Sequence, residues 1–382
     1  MVEWKKLVAV SDVLYGYPFE SSQFSEDSTY MPLIRIRDVK PAKASTYYSG
    51  EFNEAYRIKK GDILVGMDGE FNLGKWDDRD GLLNQRVLKL KGKDGYSIDG
   101  YLFHYMGPVF KKIEKETAGG SVKHLSAKVI NSILIPIPSL EEQTRIVGIL
   151  DTFTSAIDNL KKQIAQRRKQ YEYYRDQLLD LEGKPGVEMK TLGEVCEISG
   201  DYGLSAPSKP YDGVRYLRIT DITDSGGLNN EYVSADLKED AGKEPLVDGD
   251  ILFARTGATV GKTLVYRSNF GKCLFAGYLI RYRARKQVVF PQYLFHFTHS
   301  TKYYNWVSAS LAVGAQPNIS AQRYNQLQFP LPPLSEQQRI VSILDTFEAS
   351  IQNLEAQLEQ RQKQYEYYRN KLLTFEGGER EG

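Results

Sequence analysis

LEEQTRIVGILDTFTSAIDNLKKQIAQRRKQYEYYRDQLLDLEG, from Leu140 to Gly183, returns from Leu334 to Gly377 as LSEQQRIVSILDTFEASIQNLEAQLEQRQKQYEYYRNKLLTFEG, displaced by 194 residues without a gap. One module is used twice, and a repeat on that scale governs the reading of everything around it. In the first copy Ile146, Leu150, Phe153, Ile157, Leu160, Ile164, Tyr171, Tyr174, Leu178 and Leu181 recur at alternating steps of four and three, interrupted at Arg167. The second copy matches it with Ile340, Leu344, Phe347, Ile351, Leu354, Leu358, Tyr365, Tyr368, Leu372 and Phe375, and Arg361 fills the interrupted slot. Prolines at Pro136, Pro138, Pro330, Pro332 and Pro333 block an earlier start, while Gly183-Lys184-Pro185-Gly186 and Gly377-Gly378 end the pattern. Each copy therefore predicts a helix of roughly 40 residues, about 60 Å long at 1.5 Å per residue. An apolar stripe of that length needs a cover, and the stripe with matching spacing is the other copy. Duplicated halves related by a pseudo-twofold axis would pair these helices antiparallel, with a globular domain at each end.

Outward from the helices the similarity thins to a skeleton. LIRIRDV (33–39) answers YLRITDI (216–222), GDIL at Gly61 answers GDIL at Gly249, and YLFHY at Tyr101 answers YLFHF at Tyr293, with offsets drifting from 183 to 194. A shared frame thus carries loops of different length and residues of different kind. The reading divides the chain into globular domains at 1–138 and 184–332 and helical regions at 139–183 and 333–382. The fold class is mixed α/β, with short strands at 33–36, 62–65, 87–90, 216–219, 251–253 and 278–282 and a short helix near Tyr101 and Tyr293.

A length of 382 residues suits two to three domains, and 41% hydrophobic with 26% charged residues is a globular composition. No apolar run approaches the length of a membrane span, and Glu3, Lys5 and Lys6 stand where a signal peptide would be apolar, so a soluble cytoplasmic protein is expected. Cys196 and Cys273 lack metal-ligand spacing and are expected to be core residues. Fifty basic and 49 acidic residues give a net charge of +1, which argues against a histone-like binder. The distribution is uneven, however: Ile251 to Ser335 contains no Asp or Glu but ten Lys and Arg. That suits a polyanionic partner; the alternative is segregation balanced by the acid-rich run Asp201 to Asp250. Strand alternation would set Arg281, Arg283 and Arg285 on one face, and Arg35 and Arg37 likewise, within reach of phosphates or guanine edges. Candidate DNA contacts are Arg35, Arg37, Lys75 and Arg86 in the first half and Arg218, Arg255, Lys262, Arg281, Arg283 and Arg285 in the second.

Catalytic motifs are not found. Gly69 to Lys75 has phosphate-loop spacing but continues into Trp76, and Gly257 to Thr263 is one residue short between its glycines. Because both follow GDIL at the same place in the repeat, a shared turn between strands explains them better than a nucleotide site. His104 and His296 occupy equivalent YLFH positions that suit packing, and no H-E-x-x-H, G-x-S-x-G, amino-methyltransferase motif or helicase box is present. Neither metal nor cofactor is expected on this chain. Two other classes stay open: a coiled-coil protein adaptor and a phosphate-loop enzyme.

The proline-bounded P-x-L-x-E-Q-x-R-I-V-x-I-L-D at Pro138 to Asp151 and Pro332 to Asp345 resembles the specificity subunit of type I restriction-modification systems. The resemblance covers essentially the whole chain, including R-I-x-D at Arg35 to Asp38 and Arg218 to Asp221. It implies two target-recognition domains, each reading one half of a split site in double-stranded DNA, separated by an antiparallel coiled coil that sets the gap. It also implies two modification subunits, which carry S-adenosylmethionine and methylate adenine, and restriction subunits that use ATP and magnesium. The chain itself would be non-catalytic. Tyr173 and Tyr367, off the apolar stripe in the identical YEYYR segments, are candidates for docking the modification subunits.

Overall fold

The computed structural model describes residues 2–117, 123–237, 244–311 and 316–375; Gly377 and Gly378, expected to end the second helix, lie outside the described residues. The chain divides into two compact units, Met1–Leu160 with Gln357–Gly382, and Lys161–Ala356, and the division falls inside both long helices. These run Leu140–Leu179 and Leu334–Leu373, 40 residues each, the length the seam predicts, with the last seam residues, Leu181 and Phe375, lying just beyond the helix ends.

In the first unit a four-stranded antiparallel sheet has the order Ser11–Tyr15, Val87–Gly92, Ile63–Gly66, Leu73–Lys75. Its central residues are apolar on both faces because both faces are covered. Ile63, Val65, Leu88 and Leu90 pack with Leu102, Met106 and Phe110 of the helix Asp99–Glu116, while Leu64 and Val87 pack with Ile34, Trp76 and Leu83. The second unit repeats the order as Cys196–Tyr202, Leu279–Ala284, Asp250–Ala254, Thr263–Val265. There Ile251 and Phe253 join Tyr293 and Phe297, and Leu252 joins Leu217 and Phe275 on the other face. GDIL thus serves two cores at a period of two. Its glycine supplies a left-handed turn, with φ of +94° at Gly61 and +93° at Gly249. The aspartate that follows accepts from the backbone three residues earlier, Lys59 N at 2.7 Å and Val247 N at 2.9 Å. Both cysteines are buried, and burial pushes the Cys196 thiol up to about 12 and the Cys273 thiol up to about 11.

The R-I-x-D segments correct the sequence reading. The strands end at Ile34 and Leu217, and Arg35 and Arg218 cap the short helical turns Ile36–Val39 and Ile219–Asp221. The aspartate reaches back to the cap: Asp38 accepts from Arg35 N at 2.9 Å and Asp221 from Arg218 N at 2.8 Å, both carboxylates buried. Arg35 and Arg37 therefore do not alternate on a strand. The helix expected near Tyr101 extends over 18 residues, and near Tyr293 two helices follow one another, Pro291–Phe297 and Thr301–Ser310.

Within each unit the helix segments run antiparallel. In the first, Phe153 stacks on Tyr368 at 5.2 Å between ring centres, and Arg361 lies over the Phe153 ring at 5.8 Å. In the second, Tyr174 stacks on Phe347 at 5.4 Å, and Arg167 covers the same ring at 5.8 Å. The arginine that interrupts the seam is thus part of it, a guanidinium laid over an aromatic face. Ile146, Leu150, Ile340 and Leu344 are fully buried, each contributing about 1.5–3 kcal/mol by leaving water.

The E-Q-x-R motif fastens each helix to the globular part of its own unit. Gln143 and Gln337 are fully buried, and each amide is used at both ends. Gln143 accepts from Ile98 N and donates to the carbonyls of Tyr96 and Pro138; Gln337 accepts from Phe290 N and donates to those of Val288 and Pro332. Tyr101 and Tyr293 donate to the Pro136 and Pro330 carbonyls, both at 2.7 Å.

Candidate nucleic-acid interface

The histidines of YLFH are tied to the helices. Fully buried side chains at His104 and His296 bond through Nε2 to Asp151 at 2.7 Å and Asp345 at 2.8 Å, the aspartates of the two I-L-D segments. Nδ1 of each faces the first tyrosine of YEYYR, Tyr365 for His104 and Tyr171 for His296, at 3.0 Å. Burial holds the His104 imidazole below its ordinary pKa, so its neutral ring donates to Asp151 and accepts from Tyr365. Glu348, which burial pushes above the usual carboxylate range, adds an acceptor 3.1 Å from the Tyr171 hydroxyl; the first copy has Thr154 in that place. His296, Asp345 and Glu348 bring three ligand-type atoms within 4.8 Å of one another. Both ring nitrogens of His296 are already engaged, by Asp345 and Tyr171, so the cluster is a hydrogen-bond relay that locks helix to domain. In YEYYR the last residue stacks on the first, Arg175 over Tyr171 and Arg369 over Tyr365, each at 5.5 Å. Tyr173 and Tyr367 point away, 62% and 61% exposed.

The candidate DNA contacts fall in several places. Arg37 donates to Ser45 and Thr46, and Arg35 lies over Phe24. Lys75 turns toward the helix, over the Phe103 ring at 4.7 Å and 3.7 Å from Asp151. Lys262, its counterpart, pairs with the exposed Asp224 at 2.7 Å. Arg218 is held by Asp221 and Glu231, and Arg285 donates to the Glu194 carbonyl. Arg281 and Arg283 do share a face of their strand, but that face turns inward. Arg281 is 5% exposed and paired with Asp201 at 2.6 Å, and Arg283 grips the fully buried Asp250 through two bonds of 2.7 and 2.9 Å. The acid-free stretch is thus partly neutralised by acids supplied from the preceding 75 residues, Glu182, Asp201, Asp224, Asp248 and Asp250. The phosphate-loop look-alikes are hairpins between the strands Ile63–Gly66 and Leu73–Lys75 and between Asp250–Ala254 and Thr263–Val265, as the shared-turn reading has it.

Both units hold three surface loops in one backbone frame. Met67 N donates to the Arg86 carbonyl and Arg255 N to the Tyr278 carbonyl; Gly69 N donates to Lys123 and Gly257 N to Pro317; Leu125 N donates to Met67 and Ile319 N to Arg255. Isolated bridges join Asp68 to His124 and Thr256 to Asn318, and join Tyr17 to Asn84 and Leu204 to Ala276. Glycine is required where the first segment enters: a Cβ on Gly16 would stand 2.0 Å from the Asn84 carbonyl oxygen, and one on Gly203 would stand 2.2 Å from that of Ala276. The exposed side chains on the frame differ between units. In the first, Asp68 binds both Arg86 and the His124 ring at its surface. In the second, Arg255 lies 4.9 Å over Tyr202 and donates to Asn318 at 3.2 Å, beside Tyr278, which is 61% exposed. Sequence reasoning missed Asp68, His124, Tyr202, Tyr278 and Asn318. The signal available was position relative to the anchors, since each lies at the edge of a segment whose offset drifts.

The model of the type I restriction modification DNA specificity domain matches residues 1–167 and again 185–361. The chain is 27% identical over 380 residues to the specificity subunit of the type I restriction enzyme EcoBI of Escherichia coli, covering 92% of this chain and 80% of that one. It is 28% identical over 354 residues to the EcoR124I/EcoR124II specificity subunit of the same organism, covering 86% and 84%. Among solved structures, the S subunit of a type I restriction-modification system from M. genitalium matches with a TM-score of 0.65 at 16% identity, over 98% of this chain and 97% of that chain. A chain from a structure of type I complex assembly and conformational transition matches with a TM-score of 0.54 at 20% identity, over 97% and 96%.

Proposed function

This chain belongs to the family of type I restriction-modification DNA specificity subunits, and from that premise we propose that its recognition domains, 1–138 and 184–332, each read one half of a split, asymmetric site in double-stranded DNA. As the specificity component it carries no catalysis of its own. The observation that supports two unlike half-sites is the pair of identical loop frames bearing different side chains, since a rigid scaffold with variable loop residues is how binding sites are usually varied. The helical regions, 139–183 and 333–382, set the unread spacer between the halves. Selection of the full chain on randomised duplexes is expected to return two dissimilar half-motifs at a fixed spacing. A single continuous or strictly palindromic motif would sink this reading.

Modification subunits dock on the helices, one through Tyr173 and one through Tyr367, and restriction subunits join through them. Each tyrosine is exposed and meets the neighbouring Tyr174 or Tyr368 edge-on at 5.3 Å, an amphipathic pair of the kind enriched at protein interfaces. The double substitution Tyr173→Asp, Tyr367→Asp is expected to abolish co-purification with the modification subunit. Undiminished co-purification would move the docking surface elsewhere.

A further inference from the structure

The shared frame does more than hold loops: it aligns individual positions between units. The bridges and backbone bonds equate Asp68 with Thr256, Arg86 with Tyr278, and His124 with Asn318. At each of these slots the backbone is pinned by its neighbours, and none of the six side chains belongs to a hydrophobic core; Asp68 and Thr256 are half-buried. Arg86, His124, Tyr278 and Asn318 are all exposed. The aspartates, glycines and buried aromatics that recur in both units nearby are used internally, so the exposed slots, Arg86/Tyr278 and His124/Asn318 above all, are where side-chain identity is free to change without disturbing the fold.

The geometry points to these three slots as the specificity-determining positions of the two half-sites, an inference that rests on the split-target reading above. Their chemistry then differs by half. In the first unit the Arg86 guanidinium, steered by Asp68 with His124 on the same carboxylate, suits a guanine edge, where N7 and O6 accept two N–H bonds in the major groove. In the second unit the Asn318 amide, braced by Arg255 on the Tyr202 ring, suits an adenine edge, donating to N7 and accepting from the N6 amino group. Tyr278 offers an exposed ring and hydroxyl beside it.

The test uses the full chain and randomised duplexes, comparing wild type with Asn318→Ala and Arg86→Ala. Asn318→Ala is expected to erase an adenine preference in one half-motif and leave the other half unchanged. Arg86→Ala is expected to erase a guanine preference in the opposite half. On the wild-type site each loss is expected to be roughly tenfold to a hundredfold, the range of one good bidentate base contact. Affinity for an unrelated duplex and the melting temperature should stay at wild-type values, readouts that a merely structural role would move. If the wild type yields a split motif that both variants reproduce, or if either variant blurs both halves alike, the slots are wrong and the split-target reading survives. If the wild type enriches no motif, both fall together.

Discussion

Asp250→Ala is expected to destabilise the chain by about 3–5 kcal/mol, the range for breaking a buried ion pair by removing one partner. The carboxylate is fully buried and works four ways: it accepts Nε and Nη2 of Arg283 at 2.7 and 2.9 Å, accepts Val247 N at 2.9 Å, and lies 3.8 Å from Nη1 of Arg281. Arg281 has its own partner in Asp201, but Arg283 would lose the one carboxylate that it grips through two hydrogen bonds. The loss should appear as a lower urea midpoint at unchanged slope, and it should shrink when Arg283→Met is made first, because the charge left behind is then absent. The equivalent Asp62 gives the contrast. Its ion pair is with Lys89 at 2.8 Å; the cations left behind are alike, Lys89 20% and Arg283 21% exposed, but the Asp62 carboxylate is itself 19% exposed where that of Asp250 is fully buried, so Asp62→Ala should cost clearly less. Equal losses at the two sites would show that burial of Asp250 does not set the effect.

The same residues explain how much of the molecule was legible from sequence. The helices were readable because their determinants are local: a stripe at steps of four and three, prolines before it, glycines after it. Even the odd arginine in the stripe follows the rule once Phe153 and Phe347 are seen to need a cover. GDIL was readable as an anchor for the same reason, since turn, cap and two-faced strand lie within four residues. R-I-x-D misled because L-I-R-I-R alternates like a strand, and only the reach of Asp38 to Arg35 N, three residues back, ends the strand at Ile34. The arginines of the second half were the least legible. Their partners Asp201 and Asp250, and Asp224 for Lys262, are brought in from earlier segments by the sheet and loops, so a stretch without acids looked more exposed to a polyanion than it is. The loop frame was legible only as anchors with drifting offsets; which loop residues it aligns was not, because the frame is held mostly by backbone bonds that carry little residue signature.

Those internal pairs also shape the expected response to salt. Duplex binding by the full chain should fall steeply between 50 and 200 mM salt, by roughly a thousandfold to a hundred-thousandfold if about six to ten phosphates are contacted, since log affinity falls by about 0.9 per contact for each tenfold rise in salt. A net charge of +1 does not forbid this, because what counts is how many cations can exchange a surface carboxylate for a phosphate. Lys262 can: its partner Asp224 has a side chain 94% exposed, and an ion pair in water holds it weakly. Lys262→Ala should therefore lower the salt slope by about one and weaken every duplex alike. Arg283 cannot, because leaving Asp250 would strand a buried carboxylate; Arg283→Ala should leave the slope as it was and show its effect in the urea midpoint instead. The two variants thus separate a phosphate contact from a structural arginine on the same domain. A coiled-coil adaptor with no DNA role predicts a flat titration for all three chains, and that result would return the long helices to protein partners alone.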